Sequence, residues 1–108
     1  MREIKLGEKQ LRIRATPLAL LFYRQEFNAD LIGNLIKLRA IATDPSNFDS
    51  VIFLQIIWAM AKADNAKELP SFYDWITGLD TFDFGDQKLL MEVMEEAEDG
   101  FFRGGKKQ

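Results

Sequence analysis

Asp80, Asp83 and Asp86 recur at intervals of three, a carboxylate series that raises the question of a metal. A calcium loop needs alternate acidic ligands, a glycine and a later bidentate glutamate, and that pattern is absent, so turn and helix-capping roles are favoured. The chain contains no histidine and no cysteine. Ser-His-Asp and Cys-His nucleophilic sites cannot be assembled, and a zinc site of ordinary composition lacks its ligands. Glu92, Glu95 and Glu96 have the residue type for acid–base work, but opposite an apolar stripe they read as a solvated helix face. Two short matches carry no chemistry. Asp83-Phe84-Gly85 spells a kinase triplet without the rest of the kinase set, and Gly100 to Lys106 fits a phosphate-loop spacing with Lys107 where Ser or Thr should bind magnesium. The expectation is a non-enzymatic protein with no cofactor and no metal. An enzyme built on carboxylates alone would need a concave acidic pocket.

Protein binding is the class that remains, and aromatic residues in loop or tail contexts are its candidate contacts. Phe82, Phe84, Phe101 and Phe102 have that setting; some are expected to fold back on the core. Phe101 and Phe102 follow an expected helix stop at Gly100 and head the list for partner contact. Nucleic-acid binding is the next class. Arg2, Lys5, Lys9, Arg12 and Arg14 give the N-terminal segment a basic cast, but a pI near 4.9 argues against a dedicated binder.

These residues must be positioned by a chain of 108 residues, 47% hydrophobic and 12% aromatic, enough for one independent core. Glu3–Leu6 and Leu11–Arg14 alternate apolar and polar residues around Gly7-Glu8, which predicts a β-hairpin with Ile4, Leu6, Leu11 and Ile13 inward. Thr16-Pro17 predicts a capped helix running through Leu18, Leu21 and Phe22 to Phe27. A second helix starts after Asp30 and ends near Thr43. A third follows Asp49 or Ser50 and is apolar nearly all round, the mark of a buried central helix. Ser71 opens a short fourth helix, and Asp86 opens a fifth with Leu89, Val93 and Ala97 on one face. The fold class is therefore mainly α with a small N-terminal β-hairpin (α+β), a compact bundle of about five helices. The single domain spans 1–100, with the hairpin in 1–15 and a flexible tail at 101–108. There is no internal repeat.

Net charge is −3 and unevenly spread: residues 1–40 hold eight Lys/Arg against four Asp/Glu, and residues 41–102 hold three against thirteen. Two solvated faces of opposite sign are the favoured expectation. Intrachain pairing and head-to-tail self-association are the alternatives. The apolar run from Val51 to Ala61 is too short to span a bilayer and the N-terminus has no secretory h-region, so a soluble cytoplasmic protein is expected.

Five stretches, Leu21-Phe22-Tyr23-Arg24-Gln25-Glu26-Phe27, Leu54-Gln55-Ile56-Ile57-Trp58-Ala59-Met60-Ala61-Lys62, Leu69-Pro70-Ser71-Phe72-Tyr73-Asp74-Trp75-Ile76, Glu92-Val93-Met94-Glu95-Glu96-Ala97 and Gly100-Phe101-Phe102-Arg103, together resemble the tail assembly chaperones of long-tailed phages and prophages of Gram-positive bacteria. The resemblance spans most of the chain in one order and rests on overall pattern. It implies a non-catalytic protein that coats the tape-measure protein until tail-tube subunits polymerise around it, with the tail-tube protein a further candidate partner. It also implies action in the bacterial host cytoplasm, absence from the mature virion, and a longer form made by ribosomal frameshifting. Gly105-Lys106-Lys107 is compatible with a slippery codon run. The competing expectation is a small prophage-encoded regulator that binds nucleic acid through the basic hairpin.

Overall fold

The computed structural model describes residues 1–40, 46, 48–79, 82–83 and 85–103. Its chain begins with a hairpin of β1 (Arg2–Leu6) and β2 (Lys9–Ile13), antiparallel, with Ile4 opposite Leu11 and Leu6 opposite Lys9. Gly7 takes φ +64°, the left-handed value demanded at the first central position of a type II′ turn. Ile4, Leu6 and Ile13 are buried and Leu11 is half-buried, so alternation along each strand places the apolar set on one face as expected.

Five α-helices follow: α1 (Pro17–Phe27), α2 (Leu31–Arg39), α3 (Ser50–Asp64), α4 (Phe72–Thr77) and α5 (Gln87–Ala97). The architecture is mainly α, fronted by the hairpin. Short polar side chains start four of the helices by satisfying N–H groups that the helix itself cannot. Asp30 accepts from Gly33, Asp49 from Val51 and Ile52, Ser71 from Asp74, and Asp86 from Leu89. Thr16 differs from expectation: its hydroxyl makes no capping bond, and the first turn of α1 relies on Pro17 and on the Ala19 N–H bonded to the Thr16 carbonyl at 2.9 Å. α1 ends on Asn28 in the left-handed conformation, its N–H returned to Arg24 O. α2 runs to Arg39 with Ala40 as its C-cap; positions 41–43, to which the helix was expected to reach, lie outside the described residues.

α3 is the centre of the core. Phe53 and every residue from Ile56 to Ala61 are buried, as an all-round apolar helix requires. β2 joins α3 through the Arg14 N–H bonded to Met60 O at 3.0 Å, and Trp58 donates its indole N–H to Pro70 O at 3.0 Å. Phe27, Phe72 and Trp58 meet edge-on with ring centroids 4.9–6.2 Å apart, closing α1, α3 and α4 on one another. α1 buries Ala19 and Tyr23 and exposes Leu18 and Leu21.

Gly100 is not the helix stop that was expected. The chain runs from α5 into a π-helical turn, Glu98–Phe102, closed by the Arg103 N–H on Glu98 O at 3.1 Å. A β-carbon at Gly100 would lie 2.1 Å from the Ala15 carbonyl oxygen, so glycine is there to let this turn touch the segment after β2. The frayed tail therefore does not begin at Phe101, and Gly105, Lys106 and Lys107 lie outside the described residues. No helix among the described residues is long and apolar enough to cross a membrane.

Candidate partner-binding surface

The four aromatic candidates have different fates. Phe82 is half-buried and sits edge-on to Phe53 with centroids 6.2 Å apart, so it contributes to packing. Phe84 lies outside the described residues. Phe101 packs against the core, while Phe102 is 41% exposed. The π turn separates this adjacent pair, turning one ring inward and the other outward.

Phe102 is not bare. The Arg39 guanidinium lies 4.8 Å from its ring centroid, and Arg39 Nε is 2.9 Å from Glu98 Oε2. These contacts tie the end of α2 to the π turn. Beside Glu98 runs an open groove of about 500 Å3, lined by Met91 and Met94 with Arg2, Glu95, Asp99 and Arg103 around them. Met91 is 60% exposed. Met91 was not singled out from the sequence, although a signal was present: it is apolar yet falls off the Leu89-Val93-Ala97 stripe, which the structure buries. Methionine suits such a position because its flexible thioether adapts to irregular partners. The result is an apolar strip of Met91 and Met94 on α5 with a rim of both charges.

The rim belongs to a wider ion-pair system that corrects the expectation of two solvated faces. Arg2 Nη1 is 2.6 Å from Glu95 Oε1, Arg12 Nε 3.5 Å from Asp64 Oδ2, and Arg14 Nη2 3.2 Å from Asp64 Oδ1. Lys9 Nζ donates to Gly78 O at 2.9 Å. Cations of the front segment thus face carboxylates of the back segment within one chain, fastening the hairpin to α3 and α5. Glu96 departs from expectation most sharply. Placed on the solvent side by its neighbours in sequence, it is 6% exposed and accepts the Ala15 N–H at 3.0 Å. Asp83 and Asp86 do take the turn and capping roles, accepting N–H groups of Gly85 and Leu89; Asp80 is outside the described residues.

The Tyr23 phenol is moved clearly from its ordinary range. Burial raises its pKa, and a hydrogen bond donated by Asn34 Nδ2 at 2.8 Å partly opposes this. Its hydroxyl in turn donates to Gln55 Oε1 at 3.0 Å, so one phenol links α1, α2 and α3. Among the described residues no group of three or more acidic, histidine or cysteine side chains is gathered as a metal site. Comparison of the chain with models of protein families, with curated proteins and with solved structures finds no match.

Proposed function

We propose that this protein is a tail assembly chaperone of a long-tailed phage or prophage, a non-catalytic binder that shields the tape-measure protein in the host cytoplasm and leaves before the virion is complete. The five stretches set out above support the reading by resemblance. The observation that carries it is the strip of Met91 and Met94 along the groove on α5, with Phe102 a second exposed apolar side chain on the π turn. An unassembled tape-measure protein would expose apolar helical stripes. Covering such a stripe is worth about 25 cal/mol per Å2 removed from water. The mixed charges of Arg2, Glu95, Glu98 and Arg103 suit the polar flanks of an amphipathic helix and keep the strip soluble when vacant.

Co-expression with a tape-measure fragment tests this. The wild-type chain should carry the fragment into the soluble fraction, whereas Met91→Ser/Phe102→Ser should lose most of that effect with its melting temperature little changed. Unchanged protection by the double variant would move the contact elsewhere on the surface. No protection by the wild type, together with salt-dependent retention on duplex DNA, would favour the nucleic-acid regulator instead. The ion pairs of Arg2, Arg12 and Arg14 lend that second reading little support, because those cations already face carboxylates.

A further inference from the structure

The hairpin leaves one of its own edges unsatisfied in a pattern that suits a specific occupant. A two-residue turn makes Leu6 and Lys9 a hydrogen-bonded pair, and such pairs alternate along an antiparallel ladder. Ile4–Leu11 and Arg2–Ile13 are therefore hydrogen-bonded pairs as well, and the backbone N–H and C=O groups of Glu3 and Lys5 point away from β2. No group among the described residues meets them. Both side chains are exposed on the solvent face, while Ile4 and Leu6 point into the core.

Sheet edges are kept from pairing by shortness, by charged side chains, by proline, by a bulge or by an inward-pointing charge. β1 has no proline or bulge; on its inward face Ile4 and Leu6 are apolar and Arg2, at its start, is held by Glu95, so any protection of the edge rests on the charges it turns outward. Its two outward charges are opposite in sign and two residues apart. That spacing is self-complementary. Antiparallel pairing of two β1 strands about a two-fold axis at Ile4 sets Glu3 opposite Lys5 of the partner subunit, and Lys5 opposite Glu3 of the partner subunit. Those are also the residues whose free N–H and C=O groups would then bond one another. Because Arg12 already lies across from Glu3 within the hairpin, each Glu3 would sit between two cations. β2 offers no equivalent: the same operation centred on Leu11 sets Gln10 against Arg12, with no charge gained.

We propose that β1 is a homodimerisation edge, joining two copies of this chain in a four-stranded antiparallel sheet of order β2-β1-β1-β2. A five-residue edge places the contact at the small, reversible end of protein interfaces. The two-fold closes on itself, so association stops at the dimer and does not grow head to tail. The dimer is independent of the apolar strip on α5 and of the function proposed for it.

Sedimentation velocity over a concentration series tests the edge with the full chain. The wild type should show a reversible monomer–dimer equilibrium. Lys5→Glu, which puts like charges opposite one another twice, should raise the dissociation constant by about tenfold or more. The charge-swapped Glu3→Lys/Lys5→Glu variant should recover most of the affinity. Lys5→Pro, which removes an outward N–H but no hairpin bond, should also weaken the dimer while circular dichroism stays unchanged. A wild type that remains monomeric at millimolar concentration, an open-ended series of larger species, or a dimer indifferent to Lys5→Glu and Lys5→Pro would each overturn the proposal.

Discussion

At the scale of single residues, Tyr23 and Gly100 hold positions that tolerate little change. The Tyr23 phenol is fully buried and bonded on both sides, to Gln55 and Asn34. Tyr23→Phe leaves both partners without it and should cost about 1–2 kcal/mol at neutral pH. Burial raises this pKa above the ordinary 10.0, so the native state holds the proton more tightly than the unfolded chain. The resulting stability is complete below the unfolded value and is lost as pH climbs through the folded one. Urea midpoints measured from about pH 8 to 11 should fall for the wild type at the alkaline end and stay flatter for Tyr23→Phe. Gly100→Ala should be costlier, about 3 kcal/mol, because the new carbon meets the Ala15 backbone rather than a side chain that can swing away. Thermal unfolding of the variant checks this.

At the scale of elements, helix starts were legible in the sequence because the chemistry of a cap is local. Ser71 and Asp86 could be read as caps from their positions alone, and Asp49 as one of two candidates with Ser50; Asp49→Ala should cost about 1–2 kcal/mol by freeing the two N–H groups its carboxylate holds. Helix ends and faces were less legible. The course of the chain past Gly100 depends on Ala15, which arrives from the far end of the sequence, and no window around Gly100 contains that information. The burial of Ala19 and Tyr23, with Leu18 and Leu21 left exposed, has the same origin: which face of α1 turns inward is decided by α3. Phe101 and Phe102 were found as a pair, but only the π turn determines which of the two is presented to solvent.

At the scale of the whole molecule, the uneven charge was visible from residue counts, but its use was not. Arginines of the hairpin and of α2 reach Asp64, Glu95 and Glu98, contacts that span 50 to 93 positions for Arg14–Asp64 and Arg2–Glu95. Most of these pairs have an exposed partner, so the network as a whole should contribute little, with each pair worth less than about 1 kcal/mol. Raising the salt concentration should lower the urea midpoint slightly and should not unfold the protein; a large drop would mean that the pairs, rather than the apolar core around α3, hold the hairpin in place. Glu96 stands apart from the exposed pairs because it is buried against the Ala15 N–H, and for that reason the run of acidic residues in α5 could not be read as one uniform solvated face.

The π turn can also be viewed as a matter of phase. It takes up one more residue than a regular helical turn, which shifts the helical phase across it by about 100°. Deleting one residue within Glu98–Phe102 would restore the regular phase without removing either aromatic ring. With Asp99 or Gly100 removed, the two phenylalanines would face differently, and Arg39 would keep the Glu98 carboxylate, which precedes the change, but lose the Phe102 ring. A change of helix phase, with no change in composition, is enough to dismantle this surface.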